Sequence, residues 1–498
     1  MTTLIDNTPK RKKVADGVEQ SLAVATSPST PQSLYAKRVK LYPKLAHGFF
    51  RNIKWVALFV LLGIYYITPW IRWDRGLDQP NQAVLVDFEN ARFYFFFIEI
   101  WPQEVYYITG LLILAALGLF LATSLFGRVW CGYACPQTIW TDLFIQVEKF
   151  FEGDRNARMK LDKAPWTAKK IYKKSAKHIV WVIIAAMTGG AWILYFHDAP
   201  TIARDFFTGH APTTSYVFIA LMTFTTYWLA GHMREQVCTY MCPWPRIQAA
   251  MIDEEALNVT YRYDRGEPRG PHKKGATWEG RGDCIDCRQC VAVCPVGIDI
   301  RDGLQLECIG CSLCIDACDE IMVKIDRPKG LIAFDTDKNV QRRIDGEKPR
   351  INLIRPRTVI YAVLFAAVGS LMLYSLLNRS TLDMNVLRDR QPNYVTLSDG
   401  SIRNGYTIKV LNKATEPRQL ALSAEDLPSP LIEVAGQRRG ADVILDVPAD
   451  NTLDFRIFVT EDDLAGLAQK TDFTFTMTDM KTGDETTERA IFISGGPK

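Results

Sequence analysis

Two closely spaced runs of cysteine near the middle of the chain constrain it more than any other feature. Both follow the pattern Cys-x-x-Cys-x-x-Cys-x-x-x-Cys, and the first run is followed directly by a proline. This spacing is typical of paired cubane iron–sulfur clusters, in which three cysteines of one run and the last cysteine of the other hold each cluster. The predicted ligand sets are Cys284, Cys287, Cys290 and Cys318 for one cluster, and Cys308, Cys311, Cys314 and Cys294 for the other.

Zinc ribbons and structural disulfides are the alternatives for these eight cysteines. Zinc sites use two cysteine pairs that lie farther apart in the sequence, and thiols in the cytosol stay reduced. Asp319 stands where the second run would usually carry a proline, which weakens a turn without removing a ligand. The cysteine runs therefore predict a protein that transfers electrons through two [4Fe-4S] clusters.

Five apolar stretches have the length of membrane-spanning helices, which is about 17–25 residues. They are Trp55–Ile71, Val105–Phe126, Ile179–Phe196, Tyr216–Gly231 and Val359–Leu377. Asp, Glu, Lys and Arg are absent from the middle of every stretch, which argues against an ion pump or a channel. The sequence thus predicts an α-helical membrane protein with five spans.

The distribution of Lys and Arg predicts how these spans are oriented. Basic residues are dense before the first span and between the second and third, whereas the loop after the third span offers only Arg204. Because basic loops stay in the cytoplasm, we expect the N-terminus and the cysteine runs to be cytoplasmic. The first 40 residues are polar and lack the apolar segment of a signal peptide, so we expect a disordered tail there.

The composition changes after Asn378, where short alternating or β-branched segments are separated by turn residues such as Asn404-Gly405. This pattern predicts a β-sandwich, on the periplasmic side if the fifth span crosses the membrane. The segment contains neither cysteine nor histidine, so partner binding is expected there and catalysis is not.

These observations divide the chain into five predicted parts. They are a disordered cytoplasmic tail (1–40), a four-helix membrane region (41–254), a cytoplasmic two-cluster ferredoxin domain (255–356), a fifth transmembrane helix (357–378) and a periplasmic Ig-like β-sandwich (379–498).

The remaining four cysteines form a second, repeated pattern. Cys131 and Cys135 precede Pro136 after the second span, and Cys238 and Cys242 precede another proline after the fourth. Proline disfavours helix in the residue before it and suits the first position of the next helix. The second cysteine of each pair is therefore expected at a helix N-terminus. The helix dipole favours the thiolate form of a cysteine at that position. Such pairs suit monovalent copper or cycling between dithiol and disulfide.

The alternative for each pair is that the cysteines are small buried hydrophobic residues. His232 is a candidate metal ligand, although a hydrogen-bonded interfacial histidine is the simpler interpretation, and His197 and His210 are expected on the opposite side of the membrane. Covalent c-type haem is excluded because no Cys-x-x-Cys-His occurs. Three methionines near the second pair are candidate thioether ligands: Met233, Met241 and Met251.

Several of these features together resemble the FixG/RdxA/CcoG family, the membrane-bound accessory proteins of cbb3-type cytochrome c oxidase. Besides the double cysteine run, the resemblance rests on Arg92-Phe93-Tyr94, Trp101-Pro102-Gln103, the stretch from Trp130 to Thr138, the stretch from Glu235 to Arg246, and the stretch from Tyr406 to Lys413. It covers nearly the whole chain from about residue 40. The paired membrane motifs are also shared with NapH-like ferredoxin subunits of quinol dehydrogenases, but the β-sandwich favours the oxidase-associated family.

The resemblance implies that the protein reduces cupric to cuprous ion for the oxidase's copper B centre, in the inner membrane of a Gram-negative bacterium. Copper would be substrate or transient ligand at Cys131, Cys135, Cys238 and Cys242. Oxidase assembly factors or copper chaperones and a cytoplasmic electron donor are the expected partners, and nucleic acid is not.

Two other functions stay open from the sequence. One is a ferredoxin-type subunit that takes electrons from quinol, and the other is a non-enzymatic copper chaperone or assembly scaffold.

Overall fold

The protein was analysed as a computed structural model, which describes residues 40–76, 79–272, 275, 277–414, 416–434, 440–463 and 467–495. The tail predicted over residues 1–40 lies outside the described residues except for its last residue.

The described residues contain helices of three kinds. The α-helices are α1 Phe49–Ile67, α2 Tyr106–Phe126, α3 Val129–Tyr133, α4 Pro136–Glu152, α5 Arg155–Lys163, α6 Ala168–Ile193, α7 Ala199–Thr208, α8 Thr213–Thr226, α9 Trp244–Met251, α10 Tyr263–Gly266, α11 Gln289–Val293, α12 Leu313–Lys324, α13 Asp337–Ile344 and α14 Pro356–Leu377. Three short 3₁₀ turns are Thr68–Trp70, Pro102–Glu104 and Ile300–Asp302, and two π-helical segments are Tyr227–Met233 and Val237–Met241.

Four of these helices are long and apolar enough to cross a membrane within the described residues: Phe49–Trp70, Pro102–Phe126, Ala168–Ile193 and Pro356–Leu377. The stretch Tyr216–Gly231, predicted as a further span, is not among them. Its α-helical part, α8, has only 14 residues, fewer than a bilayer core requires. It continues directly into the π-helical segment Tyr227–Met233, so a fifth span stays a prediction.

α2 and α14 lie side by side in opposite directions. Tyr107 near the start of α2 is 3.0 Å from the Ser375 hydroxyl near the end of α14, and Arg355 before α14 donates to the Ser124 carbonyl near the end of α2. The segment after α14 therefore emerges at the opposite end of the membrane helices from the cysteine runs.

A small unit carries the two cysteine runs. Its strands β4 Asn258–Tyr261 and β5 Ile332–Asp335 pair antiparallel, and α11 and α12 each begin within a cysteine run. Its buried core combines apolar side chains with Cys284, Cys290 and Cys318. We call this part, residues 255–356, the iron–sulfur unit.

The C-terminal part is a sandwich of two antiparallel sheets, as predicted. The strands are β6 Leu382–Arg388, β7 Val395–Thr396, β8 Ile402–Asn412, β9 Arg418–Glu425, β10 Leu431–Val434, β11 Val443–Val447, β12 Asn451–Glu461, β13 Lys470–Asp479 and β14 Glu485–Ile493. One sheet has the order β10-β12-β8-β6, with β7 paired to β8, and the other has the order β11-β9-β13-β14. Alternating burial along β8 and β11 fills one core between the sheets.

A three-stranded sheet joins the sandwich to the membrane helices. It consists of β1 Val84–Asp87, β2 Arg92–Phe95 and β3 Ile98–Ile100 in that order. Arg92 of β2 forms ion pairs with Glu99 at 3.0 Å and with Asp450 of the sandwich. Lys413 of the sandwich pairs at 2.9 Å with Glu104 before α2. The sequence did not predict this small sheet.

Candidate electron-transfer site

The eight cysteines of the double run line two neighbouring cavities in the iron–sulfur unit. Cys284, Cys287, Cys290 and Cys318 line a cavity of about 340 Å³. A second cavity, of about 370 Å³, is lined by Cys294, Cys308, Cys311 and Cys314, and Cys290 reaches it as well. We call these the first and second cysteine cavities. Each predicted ligand set is thus gathered around its own space, with the last cysteine of each run contributed to the other run's set.

The chemistry of both cavities fits a cubane cluster held by thiolates. Their walls are otherwise mostly apolar, with Ile298, Ile300 and Ile309 in the second cavity. Burial is the main cause that raises the pKa of Cys290 to about 11 and that of Cys294 to about 12. Thiols that are this poorly solvated ionise readily only when a bound metal replaces the proton.

Across the described residues, no group of three or more His, Cys, Asp or Glu side chains is arranged to hold one metal ion.

The two Cys-x-x-x-Cys-Pro motifs meet at the membrane end nearest the iron–sulfur unit. Cys131 lies in α3, and Cys238 lies in the π-helical segment Val237–Met241. Burial is the main cause that raises the pKa of Cys238 to about 12, and electrostatic interactions with Cys135, Cys131 and Cys242 are the next causes of this shift. The four thiols, predicted from separate parts of the chain, are therefore neighbours. We call them the rim cysteines.

At the first motif the proline sets the local backbone as predicted. Cys135 has an extended conformation and is the N-cap residue of α4, whose first residue is Pro136. At the second motif the prediction is wrong by one residue, because Pro243 is the N-cap residue of α9 and Cys242, also extended, ends the π-helical segment before it. The Cys131 thiol donates a hydrogen bond to the Gln248 side chain of α9 at 3.2 Å, which adds a second contact between the two motifs.

The first motif touches the loop of the second cysteine cavity through its backbone. A Cβ on Gly132 would lie 2.9 Å from the Gly310 carbonyl oxygen and 3.0 Å from the Cys311 nitrogen, closer than a side chain allows. The Tyr133 hydroxyl donates to the Cys311 carbonyl at 3.2 Å. Cys131 and Cys238 also pack against the apolar cluster that includes Cys311. Only packed side chains and backbone separate the rim cysteines from the second cavity.

Arg128 ties three parts of this junction together. Its guanidinium donates to the Cys308 carbonyl at 3.1 Å, to the Leu306 carbonyl, and to the Pro245 carbonyl at 2.5 Å. Cys308 begins the second cysteine run, Leu306 lies two residues before it, and Pro245 follows the second rim motif. Burial lowers the pKa of Arg128 from its ordinary value. A guanidinium stays protonated in proteins, so the side chain is a charged donor at this contact.

A buried ionic cluster holds the second motif against α4. Arg234, at a positive φ of 45°, donates to Glu148 at 2.9 Å, and Arg158 and Lys177 also pair with Glu148. Burial alone would raise the pKa of Glu148, but the three cations lower it to about 2. Gln137, next to Pro136, donates to the Leu229 carbonyl at 2.9 Å.

The iron–sulfur unit also caps the first membrane helix. Asp316 in α12 accepts hydrogen bonds from the backbone N–H groups of Phe50 at 3.2 Å and Arg51 at 2.8 Å. A carboxylate at a helix N-terminus satisfies unpaired N–H groups and interacts favourably with the helix dipole. This contact fixes the unit on the membrane helices from a second direction.

The other candidate ligands have contacts with residues outside the two cysteine motifs. His232 stacks on His178 of α6, with ring centroids 5.8 Å apart. His197 lies near the Ser215 hydroxyl and His210 near that of Thr208. Among the three candidate methionines, Met241 is exposed. The sequence reasoning missed His178, Arg128 and Gln248, which carry no local motif.

Three family models match the chain. One described as "4Fe-4S dicluster domain" matches residues 233–337 and includes the second rim motif and all eight cysteines of the double run. One described as "4Fe-4S binding domain" matches residues 108–155 and includes the first rim motif. One described as "IG-like fold at C-terminal of FixG" matches residues 372–495. The chain therefore contains two 4Fe-4S binding domains and a C-terminal Ig-like domain.

Full-length relatives are similar along most of the chain. The chain is 51% identical to the nitrogen fixation protein FixG of Rhizobium meliloti, over 91% of this chain and 92% of that protein. It is 50% identical to the protein RdxB of Cereibacter sphaeroides, over 95% of this chain and 100% of that protein. It is 53% identical to the protein RdxA of the same organism, over 79% of this chain and 84% of that protein.

Proposed function

Since the chain belongs to the FixG family of oxidase-associated membrane iron–sulfur redox proteins, we propose that it reduces Cu(II) to Cu(I) at the rim cysteines. The Cu(I) product would serve the assembly of a cbb3-type cytochrome c oxidase. The contact between the first rim motif and the loop of the second cysteine cavity carries the proposal. It supports short-range electron transfer from the iron–sulfur unit to a substrate held at the rim.

We assign Cys284, Cys287, Cys290 and Cys318 to one [4Fe-4S] cluster, and the four cysteines of the second cavity to the other. When bound, such clusters accept and release single electrons. The chain's own contribution is to hold the thiols around two adjoining spaces and to exclude water with apolar walls. Arg301 lines the first cysteine cavity together with Cys284, and its positive charge favours the thiolates needed for binding.

The rim cysteines suit copper because thiolates are soft ligands that select Cu(I) over harder ions. Burial and the neighbouring thiols raise the pKa of Cys131 to about 11, so copper must displace protons on binding. Among the described residues no three His, Cys, Asp or Glu side chains are arranged to hold one metal ion, so holding a single copper ion requires the rim thiols to turn toward one another. Reduction adds one electron to Cu(II), and the Cu(I) formed is the ion that the thiolates hold best.

We further propose the arrangement of the protein in the cell. The basic residues before α1 and between α2 and α6 support a cytoplasmic location for the N-terminus and the iron–sulfur unit. The β-sandwich then lies in the periplasm, at the other end of α2 and α14. There it is placed to contact oxidase assembly factors or copper chaperones, whereas the electron donor acts from the cytoplasm.

Anaerobic turnover tests the proposed reaction. Purified protein is reduced, freed of excess reductant and mixed with Cu(II) and a chelator that reports Cu(I). We expect Cu(I) to form in wild type and to fall to background when Cys131, Cys135, Cys238 and Cys242 are all replaced by Ser. Iron content and the electron paramagnetic resonance (EPR) signals of the clusters check that this variant is otherwise intact.

A matched control changes nearby sulfur atoms that are not thiols. Replacement of Met233, Met241 and Met251 by Leu should leave Cu(I) formation within about twofold of wild type, because Leu conserves the volume of Met. The site assignment fails if the four-cysteine variant still binds and reduces copper. A strictly stoichiometric uptake of copper without reduction would instead favour a chaperone or scaffold.

Electron transfer from quinol is the second candidate, and one cluster of side chains favours it. The Tyr227 hydroxyl lies 3.0 Å from His178 Nδ1, and His178 stacks on His232 near the same membrane end as the rim cysteines. Histidine and tyrosine can exchange protons with a quinol head group. A quinol analogue that reduces the clusters in wild type, but not in Tyr227→Phe, would support this candidate.

A further inference from the structure

A cavity of about 420 Å³ lies where α1 and the segment before it meet α4 and the iron–sulfur unit. Five basic side chains and two carboxylates line it, so its walls carry an excess of positive charge. The basic side chains are Lys44, Arg51, Lys54, Lys149 and Arg158, and the carboxylates are Asp142 and Asp154. We call this space the basic cavity.

Arg51 brings buried hydrogen-bond donors to the basic cavity. Its side chain is 4% exposed, and its Nη1 lies 2.9 Å from each carboxylate oxygen of Asp142. Its Nε and Nη2 have no hydrogen-bond partner among the described residues. The guanidinium stacks on the Trp55 ring at 4.4 Å, which occupies its face and leaves the donors in its plane available. Buried donors of this kind are costly unless an acceptor meets them.

The other charged contacts do not cancel this positive charge. Lys54 Nζ is 4.0 Å from the Asp142 carboxylate, which already pairs with Arg51. Arg158 shares Glu148 with two other cations, and its Nε likewise has no hydrogen-bond partner within the described part of the chain. An anion in the basic cavity would therefore meet both positive charge and donors that the protein itself does not use.

The basic cavity lies at the level of the membrane where lipid head groups are found. α1 has 19 residues, so it is about as long as the hydrocarbon core is thick. Arg51 and Lys54 are in its first two turns, and Phe49 and Val56 of the same turns are exposed, as expected of side chains that contact lipid. Basic pockets between membrane helices at this level suit the phosphate groups of anionic lipids.

We propose that the basic cavity binds one phosphate group, supplied by the head group of an anionic phospholipid or by a free phosphate ion. The Nε and Nη2 of Arg51 form a parallel pair of donors, which matches two phosphate oxygens. Lys54 and Lys149 add positive charge to the same space. Binding requires no copper, so this inference is independent of the proposed function.

A phosphate group in the basic cavity would also fasten the iron–sulfur unit to α1. Val293, Pro295 and Leu313 line the cavity from the two cysteine runs. Val293 and Leu313 also belong to the apolar cluster that includes Cys311. Occupancy should therefore slow hydrogen exchange of residues 293–296 and 311–314.

Lipid binding is measured on the full-length protein, purified in a neutral detergent and freed of lipid. Native mass spectrometry counts bound phosphatidylglycerol, and phosphatidylcholine measures nonspecific binding. We expect one tightly bound phosphatidylglycerol per wild-type chain. Arg51→Lys should weaken its binding about tenfold or more, because this variant keeps a cation beside Asp142 but loses the paired donors.

Two further variants separate a lost site from a folding defect at buried Arg51. Lys149→Gln changes a partly exposed residue of the cavity wall and should weaken binding about fivefold, as expected for one lysine near an anionic lipid. Lys169→Gln removes an exposed lysine in the first turn of α6. This matched control should change binding by less than about twofold.

Equilibrium dialysis with radiolabelled inorganic phosphate, at constant ionic strength, identifies the source of the phosphate group. Phosphatidylglycerol that binds and is not displaced by millimolar phosphate indicates a lipid site. Phosphate that binds by itself, and more weakly in Arg51→Lys and Lys149→Gln, indicates a site for the free ion.

The inference is overturned if wild type binds neither ligand, or if Arg51→Lys and Lys149→Gln bind both ligands as wild type does. Either result leaves Cu(I) formation by the rim cysteines untouched, so it does not bear on the proposed function.

Discussion

The iron–sulfur unit and the β-sandwich are attached to opposite ends of the membrane helices by different kinds of contact. The iron–sulfur unit is held by backbone in direct contact, where Gly132 meets Gly310, and by buried hydrogen bonds such as those of Arg128. The β-sandwich is held largely by ion pairs between side chains, such as that of Lys413 with Glu104.

This difference follows from what each attachment must do. Electron transfer requires a fixed short distance, and backbone packed on backbone leaves little freedom to move. Ion pairs between side chains tolerate small displacements and respond to pH and salt. We infer that the iron–sulfur end is built for a fixed geometry and that the sandwich end permits adjustment during partner binding.

The largest expected effect comes from placing a methyl group in the backbone contact. Gly132→Ala would put a Cβ within 2.9 Å of the Gly310 carbonyl oxygen, so the cysteine loop must move away from the rim. We expect Cu(I) formation to fall on the order of 100-fold, as a shift of about 1 Å at a reacting centre can cause. The chelator assay under anaerobic conditions measures the rate.

Gly190→Ala is the matched control, because a Cβ at Gly190 in α6 meets no atom within 4 Å. Equal rates in the two alanine variants would contradict the claim that the backbone contact sets the geometry for electron transfer.

Removing the Arg128 guanidinium should have the next largest effect. Arg128→Met leaves the carbonyls of Leu306, Cys308 and Pro245 without this donor, at an expected cost of about 3 kcal/mol in the stability of the junction. Hydrogen exchange of residues 306–311 should become faster, and Cu(I) formation should slow. Arg350→Met, at an exposed position of the iron–sulfur unit, is the control and should change neither.

Ion pairs at the sandwich end should matter for attachment but not for reduction. Asp450→Asn weakens the pair with Arg92, at a cost of roughly 1–3 kcal/mol. Hydrogen exchange of β1–β3 should become faster, while the rate of Cu(I) formation stays within about twofold of wild type. Asp446→Asn, at an exposed site on β11, should affect neither quantity. A large loss of reduction in Asp450→Asn would show that the two ends are coupled.

The smallest predicted effect is a pH dependence confined to the sandwich end. Burial, and then the neighbouring Asp450, raise the pKa of Glu99 from 4.5 to about 7, although Arg92 and Arg379 oppose the shift. Between pH 4.5 and pH 7, Glu99 therefore binds more protons in the folded state than in the unfolded state. The stability of the contact between the β-sandwich and the β1–β3 sheet should accordingly fall as pH rises through this range. Glu99→Gln should remove this dependence of hydrogen exchange in β1–β3.

The contact between the iron–sulfur unit and the membrane helices should not change in stability over the same pH range. The pKa of Glu148 is lowered to about 2, so the stability from its ion pairs is fully present above pH 4.5 and is lost as pH falls toward 2. Parallel pH profiles of hydrogen exchange at the two ends would contradict the comparison.

Much of this architecture is visible in the sequence because it follows from local patterns. The spacing of the double cysteine run predicts which thiols share a cavity, and the structure groups them in those sets. Apolar length predicts four of the membrane helices. Alternation along segments such as β8 and β11 predicts the sandwich.

The contacts between these parts could not be predicted, because they join residues far apart in the chain. Nothing near Gly132 indicates that it must meet Gly310, and nothing near Asp316 indicates that it caps α1. The π-helical segment after α8 also follows from tertiary packing, since Tyr227–Met233 reads as an ordinary continuation of the apolar stretch. The cost of a buried carboxylate at Glu148 is likewise offset by cations from three other segments.

Rapid-freeze EPR of the reduced protein, mixed anaerobically with Cu(II), tests the central claim most directly. The account predicts that the signals of the reduced clusters disappear as one Cu(I) forms per electron lost, and that Gly132→Ala slows both changes together. Cluster signals that persist while Cu(I) forms at the wild-type rate would contradict it.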